Sequence, residues 1–72
     1  MRTRKIFDGA YFEYYNGGVI IMRRWEDVDN VWHDEYFSWE AVDKNGKSLW
    51  LTDIMFEGDY YEECKRVIDR YS

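Results

Sequence analysis

The chain has 72 residues, the length of a single domain, which we expect to span residues 1–72. It carries 15 acidic and 10 basic residues and a net charge of −5, a balance that argues against direct binding of nucleic acid or of an anionic membrane surface. The 46% hydrophobic content excludes a disordered chain, and no apolar run is long enough for a transmembrane helix.

The cysteine content and the N-terminal segment bear on location. Cys64 is the only cysteine, so no internal disulfide can form, which is typical of a reducing compartment. The basic segment 1–5 is followed by an apolar stretch that Asp8 and Gly9 interrupt, and this does not fit a signal peptide. We therefore expect a cytoplasmic protein without membrane contact.

The first predicted element is a β-hairpin around Asn16-Gly17, because this dipeptide between apolar runs is a strong signal for a two-residue turn. Ile6-Phe7 could form a short strand before it, ended by a turn at Asp8-Gly9. A two-residue loop fixes the register of the hairpin and therefore the two faces that it presents. One face, which we expect to be the core, carries Phe12, Tyr14, Val19 and Ile21. The other face carries Tyr11, Glu13, Tyr15, Ile20 and Met22.

Residues 26–35 follow the first hairpin and fit a loop. Val28, Val31 and Trp32 also have the spacing of a short helical turn, so the sequence leaves a loop and a helical turn both open.

A second hairpin is predicted around Asn45-Gly46, where two turns compete. A two-residue loop would set Glu40 beside Leu51, a carboxylate against a core leucine. A three-residue loop with a left-handed glycine lets Asp43 face Lys47 instead. The three-residue loop is favoured because it places Ala41 opposite Leu49 and Trp39 opposite Leu51, and so collects Phe37, Trp39, Ala41, Leu49 and Leu51 on one face.

The last predicted element is a helix over residues 59–71. Asp59 can cap it, and Glu62 with Arg66 forms a pair four residues apart. The elements together predict an α+β fold, an antiparallel β-meander of four to five strands with one C-terminal helix packed on one face. A small curled β-barrel closed by the helix is the alternative. The apolar face of the helix carries Tyr60, Cys64, Val67, Ile68 and Tyr71.

No catalytic or metal-binding motif stands out in the sequence. His33, Asp34 and Ser38 are the residue types of a hydrolase triad, but a triad is defined by geometry and the chain has no nucleophile motif. Zinc needs more nitrogen or sulfur ligands than the surroundings of His33 offer, and Cys64 falls on the core face of the helix. We expect no enzymatic activity, no cofactor and no metal. A small ligand-binding or hydrolytic domain that uses His33 is an alternative.

The most informative segment for function is 26–43, which combines seven acidic residues with four aromatic ones and contains no Lys or Arg. A block of one charge selects basic partners, and aromatic side chains can anchor them. We therefore expect a non-enzymatic protein-binding module for a basic surface, such as that of a nucleic-acid-binding protein. Arg23 and Arg24 are expected to pair with carboxylates across the sheet. The expected partner-binding residues are Glu26, Asp27, Asp29, Trp32, Asp34, Glu35, Tyr36, Glu40, Asp43 and Trp50.

In composition alone, the chain is similar to the small acidic accessory proteins of phages and mobile elements. These include DNA mimics that block restriction or CRISPR nucleases, so the resemblance implies an inhibitor of the anti-restriction or anti-CRISPR kind. A homodimeric structural domain is a further alternative, because an apolar outer sheet face calls for a cover. That outer face is expected to carry Tyr11, Ile20, Met22, Val42 and Trp50.

Overall fold

In the computed structural model, which describes residues 4–71, four antiparallel strands form one sheet in the order β1-β2-β3-β4, with a C-terminal helix on one face. The predicted α+β meander is confirmed, with the lower of the two expected strand numbers. The sheet is open rather than closed into a barrel, since β1 and β4 are its edges. The elements are β1 (Lys5–Tyr15), β2 (Gly18–Asp27), β3 (Glu35–Val42), β4 (Ser48–Leu51) and α1 (Tyr61–Tyr71).

The β1–β2 hairpin turns at Asn16-Gly17, as predicted. Asn16 has a φ of 47° and Gly17 a φ of 83°, the two left-handed positions of a type I′ turn. The predicted register is confirmed, with Phe12 opposite Ile21. β1 is one continuous strand rather than a short strand followed by a turn, because Asp8 is accommodated as a β-bulge.

α1 packs on the face of the sheet that carries Ile20, which is opposite to the predicted core face of the first hairpin. Ile20 pairs with Ala41 of β3, and both belong to the buried cluster under α1. Phe12 and Tyr14, which were expected in the core, are 65% and 85% exposed, whereas Ile21 of the same face is buried, as expected, at 8% exposed. The buried core consists of Ile20, Trp39, Ala41, Cys64, Val67 and Ile68, with Tyr15, Met22, Leu49, Trp50, Tyr60 and Tyr61 packed against it.

The β3–β4 connection is the predicted three-residue turn. Gly46 has a φ of 83°, and the N–H of Asp43 donates to the carbonyl oxygen of Lys47 at 2.9 Å. The Asp43 carboxylate closes the turn, because its Oδ1 accepts the N–H groups of Asn45 and Lys47, each at 2.9 Å. This confirms the expected pairing of Asp43 with Lys47.

The register beyond that turn differs from the prediction. A bulge at Leu49 shifts the pairing by one residue, so that Ala41 lies opposite Trp50 and Glu40 opposite Leu51. The predicted pairs of Ala41 with Leu49 and of Trp39 with Leu51 are therefore wrong. Trp50 turns toward the helix, whereas Leu51, expected in the core, is 60% exposed.

α1 is held at its start by a side chain and along its length by its apolar face. Oδ1 of Asp59 accepts the N–H of Tyr61 at 3.1 Å, which confirms the predicted capping residue. The predicted pair of Glu62 with Arg66 is wrong, because Arg66 pairs with Glu63 at 2.7 Å and Glu62 lies 3.9 Å from Lys65. In the described part of the chain, no helix has the length and apolar character needed to cross a membrane. The residues of α1 that are buried are Cys64, Val67 and Ile68.

The helix covers only part of the sheet. The 11 residues of α1 extend about 16 Å, whereas the 11 residues of β1 extend about 36 Å. The molecule is 42 Å long, and its core lies at the end where the hairpins turn at Asn16-Gly17 and Gly46. The opposite end, where β2 passes into β3, extends beyond the helix. Three of the residues expected on the outer face, Ile20, Met22 and Trp50, in fact belong to the layer under α1.

Candidate functional site

The structure gathers part of the acidic block at the turn between β2 and β3. Glu26, Asp27, Asp29, Asp34 and Glu35 all lie at this end of the sheet, either in the turn or in the last pairs of the two strands. Residues 28–34 form neither a strand nor the helical turn that the sequence left open. We refer to residues 28–34 as the Trp32 loop.

Asp27 is the base of the Trp32 loop. It is only 1% exposed, and its backbone N–H donates to the carbonyl oxygen of Asp34 at 3.0 Å, which closes the loop. Its Oδ1 accepts the N–H of Asp29 at 3.2 Å, and its carbonyl oxygen accepts the N–H of Asn30 at 3.4 Å. A buried carboxylate that accepts the N–H of Asp29 and a hydrogen bond from the side chain of Tyr36 shapes the chain locally instead of presenting its charge to a partner.

Asn30 is the centre of the loop. Its Oδ1 accepts the N–H of Trp32 at 2.8 Å, and its Nδ2 donates to Oδ2 of Asp34 at 2.8 Å. Its carbonyl oxygen accepts the N–H of His33 at 3.0 Å. His33 has a φ of 52°, and its Nδ1 lies 2.8 Å from Oε1 of Glu26. These bonds fix the loop backbone on both sides of Trp32.

The loop is also tied to the segment that precedes β1. The N–H of Arg4 donates to Oδ2 of Asp29 at 2.6 Å, and the N–H of Val28 donates to the carbonyl oxygen of Arg4 at 3.1 Å. Two separate stretches of chain therefore hold the loop in place.

The result of this bonding is a loop that presents apolar side chains to solvent. Val31 is 86% exposed and Trp32 is 82% exposed. A tryptophan this exposed is unusual, because the indole ring is normally largely buried. The sequence marked Trp32 but missed Val31 and Asn30. The signal for Asn30 was its place among aspartates, whose short side chains commonly bond to nearby backbone in turns.

The charges beside the loop are partly balanced. Glu26 and Glu35 face each other across β2 and β3, a like-charge pair. Arg24 lies 3.5 Å from Glu35 and 2.7 Å from Asp8, and the pKa of Arg24 is raised chiefly by its hydrogen bond with Asp8 and then by the charge of Glu35. The expected pairing of Arg24 with carboxylates across the sheet is thus confirmed.

Three residues of the expected site lie elsewhere. Glu40 sits in the middle of β3 and pairs with Arg23 at 2.7 Å, which confirms the expected pairing of Arg23. Asp43 closes the turn at the far end of β3. Trp50 packs under the helix, with its ring centroid 5.6 Å from that of Tyr60. The structure therefore does not join Glu40, Asp43 or Trp50 to the loop.

Tyr36 lies near the loop but on the sheet face opposite α1. Its ring contacts Phe56 at a centroid distance of 5.4 Å, and Nζ of Lys5 lies 4.6 Å from its centroid. Burial raises the pKa of Tyr36, and the charges of Asp27 and Asp34 raise it further. Tyr36 therefore links the acidic loop to an aromatic cluster on the sheet.

The residues considered for catalysis have separate partners. Ser38 is 4% exposed and its Oγ accepts the indole N–H of Trp25 at 3.0 Å, while His33 contacts Glu26. Among residues 4–71, no group of three or more His, Cys, Asp or Glu side chains is arranged to hold a metal ion. Cys64 is buried as predicted, and burial raises the pKa of its thiol to about 11.

Comparison of the chain with protein-family models, curated proteins and solved structures finds no match.

Proposed function

We propose that this chain is a non-enzymatic protein-binding module that holds its partner through the Trp32 loop. The observation that carries the proposal is the 82% exposure of Trp32 on a loop fixed by hydrogen bonds. Tryptophan is among the residues that dominate binding energy at interfaces, and its ring can bury about 150–250 Å². A loop that is already ordered loses less entropy when it binds.

The charges around the loop favour a basic partner. Asp29 and Glu35 are exposed, and Glu26 and Asp34 are partly exposed, all at the end of the sheet that carries Trp32. Such a field speeds the approach of a Lys/Arg-rich surface, and added salt weakens it. A nucleic-acid-binding protein is one partner of this kind, and a phage-type inhibitor or DNA mimic is the narrower form of the same proposal. The acids cluster at one end, which favours a local contact over a long duplex-like ridge.

The test is capture of partners from a cell lysate with the tagged chain and two variants, Trp32→Ala and Tyr71→Ala. Tyr71 is 62% exposed at the end of α1 and serves as the matched aromatic control. We expect the wild type and Tyr71→Ala to retain the same basic protein at low salt and release it at high salt. Trp32→Ala should retain much less of it at low salt.

Two outcomes would count against the proposal. Equal retention by Trp32→Ala and the wild type would show that Trp32 is not the anchor. Retention that is insensitive to salt would show that the acidic groups do not attract the partner. Competition with duplex DNA distinguishes a DNA mimic from a module that binds elsewhere on the partner. Duplex DNA should displace the chain from its partner if the chain mimics DNA, and should leave the complex intact if the contact lies elsewhere on the partner.

A further inference from the structure

The face of the sheet opposite α1, which we call the open face, is covered by no helix or strand within residues 4–71. Strand pairing arranges its side chains in rows across the sheet. One row runs Phe12–Ile21–Glu40–Leu51 from the β1 edge to the β4 edge. Toward the hairpin turns, the next row is Tyr14–Val19–Val42. Toward the Trp32 loop, the next row is Ala10–Arg23–Ser38, followed by Phe7–Trp25–Tyr36 with Phe56 on Tyr36.

The open face exposes enough apolar surface for a protein interface. Phe7, Phe12, Tyr14 and Phe56 are 52%, 65%, 85% and 51% exposed. At about 150–250 Å² for a whole aromatic side chain, these four rings alone present on the order of 500 Å². Leu51, Ile54 and the rims of the half-buried residues add to this, which approaches the ~800 Å² that each partner contributes to a stable complex. An apolar patch of several hundred Å² is often an interaction site.

The two charges at the centre of the open face are paired and already largely buried, which limits the cost of covering them. Arg23 and Glu40 are already paired with each other at 2.7 Å, and their side chains are 30% and 14% exposed. Covering the pair would therefore leave no isolated charge without a partner. The acidic groups around the Trp32 loop lie at the end of the sheet, outside the central rows.

The open face carries a projection at one edge and a recess that reaches the opposite edge. Phe12 projects at the β1 edge. A depression of about 510 Å³ lies at the other side of the sheet. A surface that has a projecting ring on one side and a recess on the other can pair with a copy of itself by a two-fold rotation about a line between them. The depression is lined by Arg23, Trp25, Ser38, Glu40, Leu51 and Thr52.

We propose that the occupant of the open face is a second copy of this chain, packed face to face about a two-fold axis that runs parallel to the strands. This rotation places the β1 edge of one copy over the β4 edge of the other, so Phe12 enters the depression beside Leu51. The two sheets then pack with their strands aligned, the usual arrangement of a β-sandwich.

The first test is the dimer dissociation constant, measured by sedimentation equilibrium from about 1 µM to about 500 µM. Phe12 and Tyr11 are a matched pair, because they are adjacent in β1, are 65% and 67% exposed, and point to opposite faces. Phe12→Ser and Leu51→Ser should each raise the dissociation constant about a hundred-fold or more, since symmetry counts each substitution twice. Tyr11→Ser should change it less than about threefold. Circular dichroism checks that every variant is folded.

The second test needs no variant. Phe12 and Leu51 lie three strand spacings apart within one chain, about 14 Å, which is too far for a nuclear Overhauser effect. An isotope-filtered experiment on mixed labelled and unlabelled protein should show this contact between copies. A wild-type chain that stays monomeric up to about 500 µM would overturn the proposal. So would a dimer that Tyr11→Ser dissociates and Phe12→Ser does not, or a dimer whose contacts between copies involve α1.

Discussion

At the scale of single residues, carboxylates of the acidic block serve two physical purposes. Asp27 and Asp43 accept backbone N–H groups and shape turns, so their charge is used inside the fold. Glu26 and Glu35 lie near the surface beside the Trp32 loop and contribute to the field there. The charge pattern in the sequence could not separate these purposes, because burial and hydrogen bonding depend on the turn that the chain makes.

The buried Asp27 should contribute more to the stability of the fold than an exposed acidic residue does. Asp27→Ala removes the buried acceptor of the Asp29 N–H and leaves that donor unsatisfied, so we expect the free energy of unfolding to fall by about 1–3 kcal/mol. Asp53→Ala is the control, because Asp53 is exposed and should change stability by no more than about 0.5 kcal/mol. Urea denaturation measures both. Equal effects of the two substitutions would show that Asp27 does not organise the loop.

Glu40 gives the fold a defined dependence on pH. Burial disfavours its charged form, but hydrogen bonds from Arg23 and Ser48 outweigh burial and hold the pKa of Glu40 below the ordinary 4.5. Its contribution is therefore complete above about pH 4.5 and is lost as pH falls through the lower pKa of the folded state. The stability difference between wild type and Glu40→Gln should shrink between neutral pH and about pH 3. A difference that stays constant over that range would contradict this account.

At the scale of elements, local turn chemistry was predictable and the choice of face was not. Asn16-Gly17 and Gly46 determine their turns through left-handed backbone conformations that few other residues adopt. The first hairpin, however, has large apolar side chains on both faces, so its own pattern cannot tell which face the helix covers. The bulge at Leu49 has no residue signal of its own, and it moved Leu51 from the expected core to the open face.

The Trp32 loop is the element on which the binding proposal depends, and Asn30 offers a way to disturb its order alone. Asn30→Ala keeps Trp32 and every charge but removes the acceptor of the Trp32 N–H and the bond to Asp34. We expect hydrogen exchange at the Trp32 and His33 amides to accelerate about tenfold or more. Asn45→Ala, in the turn between β3 and β4, should leave the exchange rates of these amides unchanged. Unchanged exchange in Asn30→Ala would mean that the loop is ordered by other contacts.

At the scale of the whole molecule, the buried core and the proposed binding loop lie at opposite ends of the sheet. α1 and the buried core lie at the end with the two hairpin turns, and the Trp32 loop lies at the other end of the 42 Å molecule. Substitutions in the loop can therefore alter binding without touching the core. A two-fold axis parallel to the strands would place both loops of a dimer at the same end, where two contacts on one partner reinforce each other.

The most direct test of the account is the dissociation constant of the captured partner for the wild type and for Trp32→Ala. We predict that Trp32→Ala weakens binding about 30-fold or more, mainly by faster dissociation, while both proteins have the same urea midpoint. Tyr71→Ala should bind as the wild type does. A Trp32→Ala variant that is equally stable and binds with unchanged affinity would contradict the claim that the acidic turn exists to present this side chain.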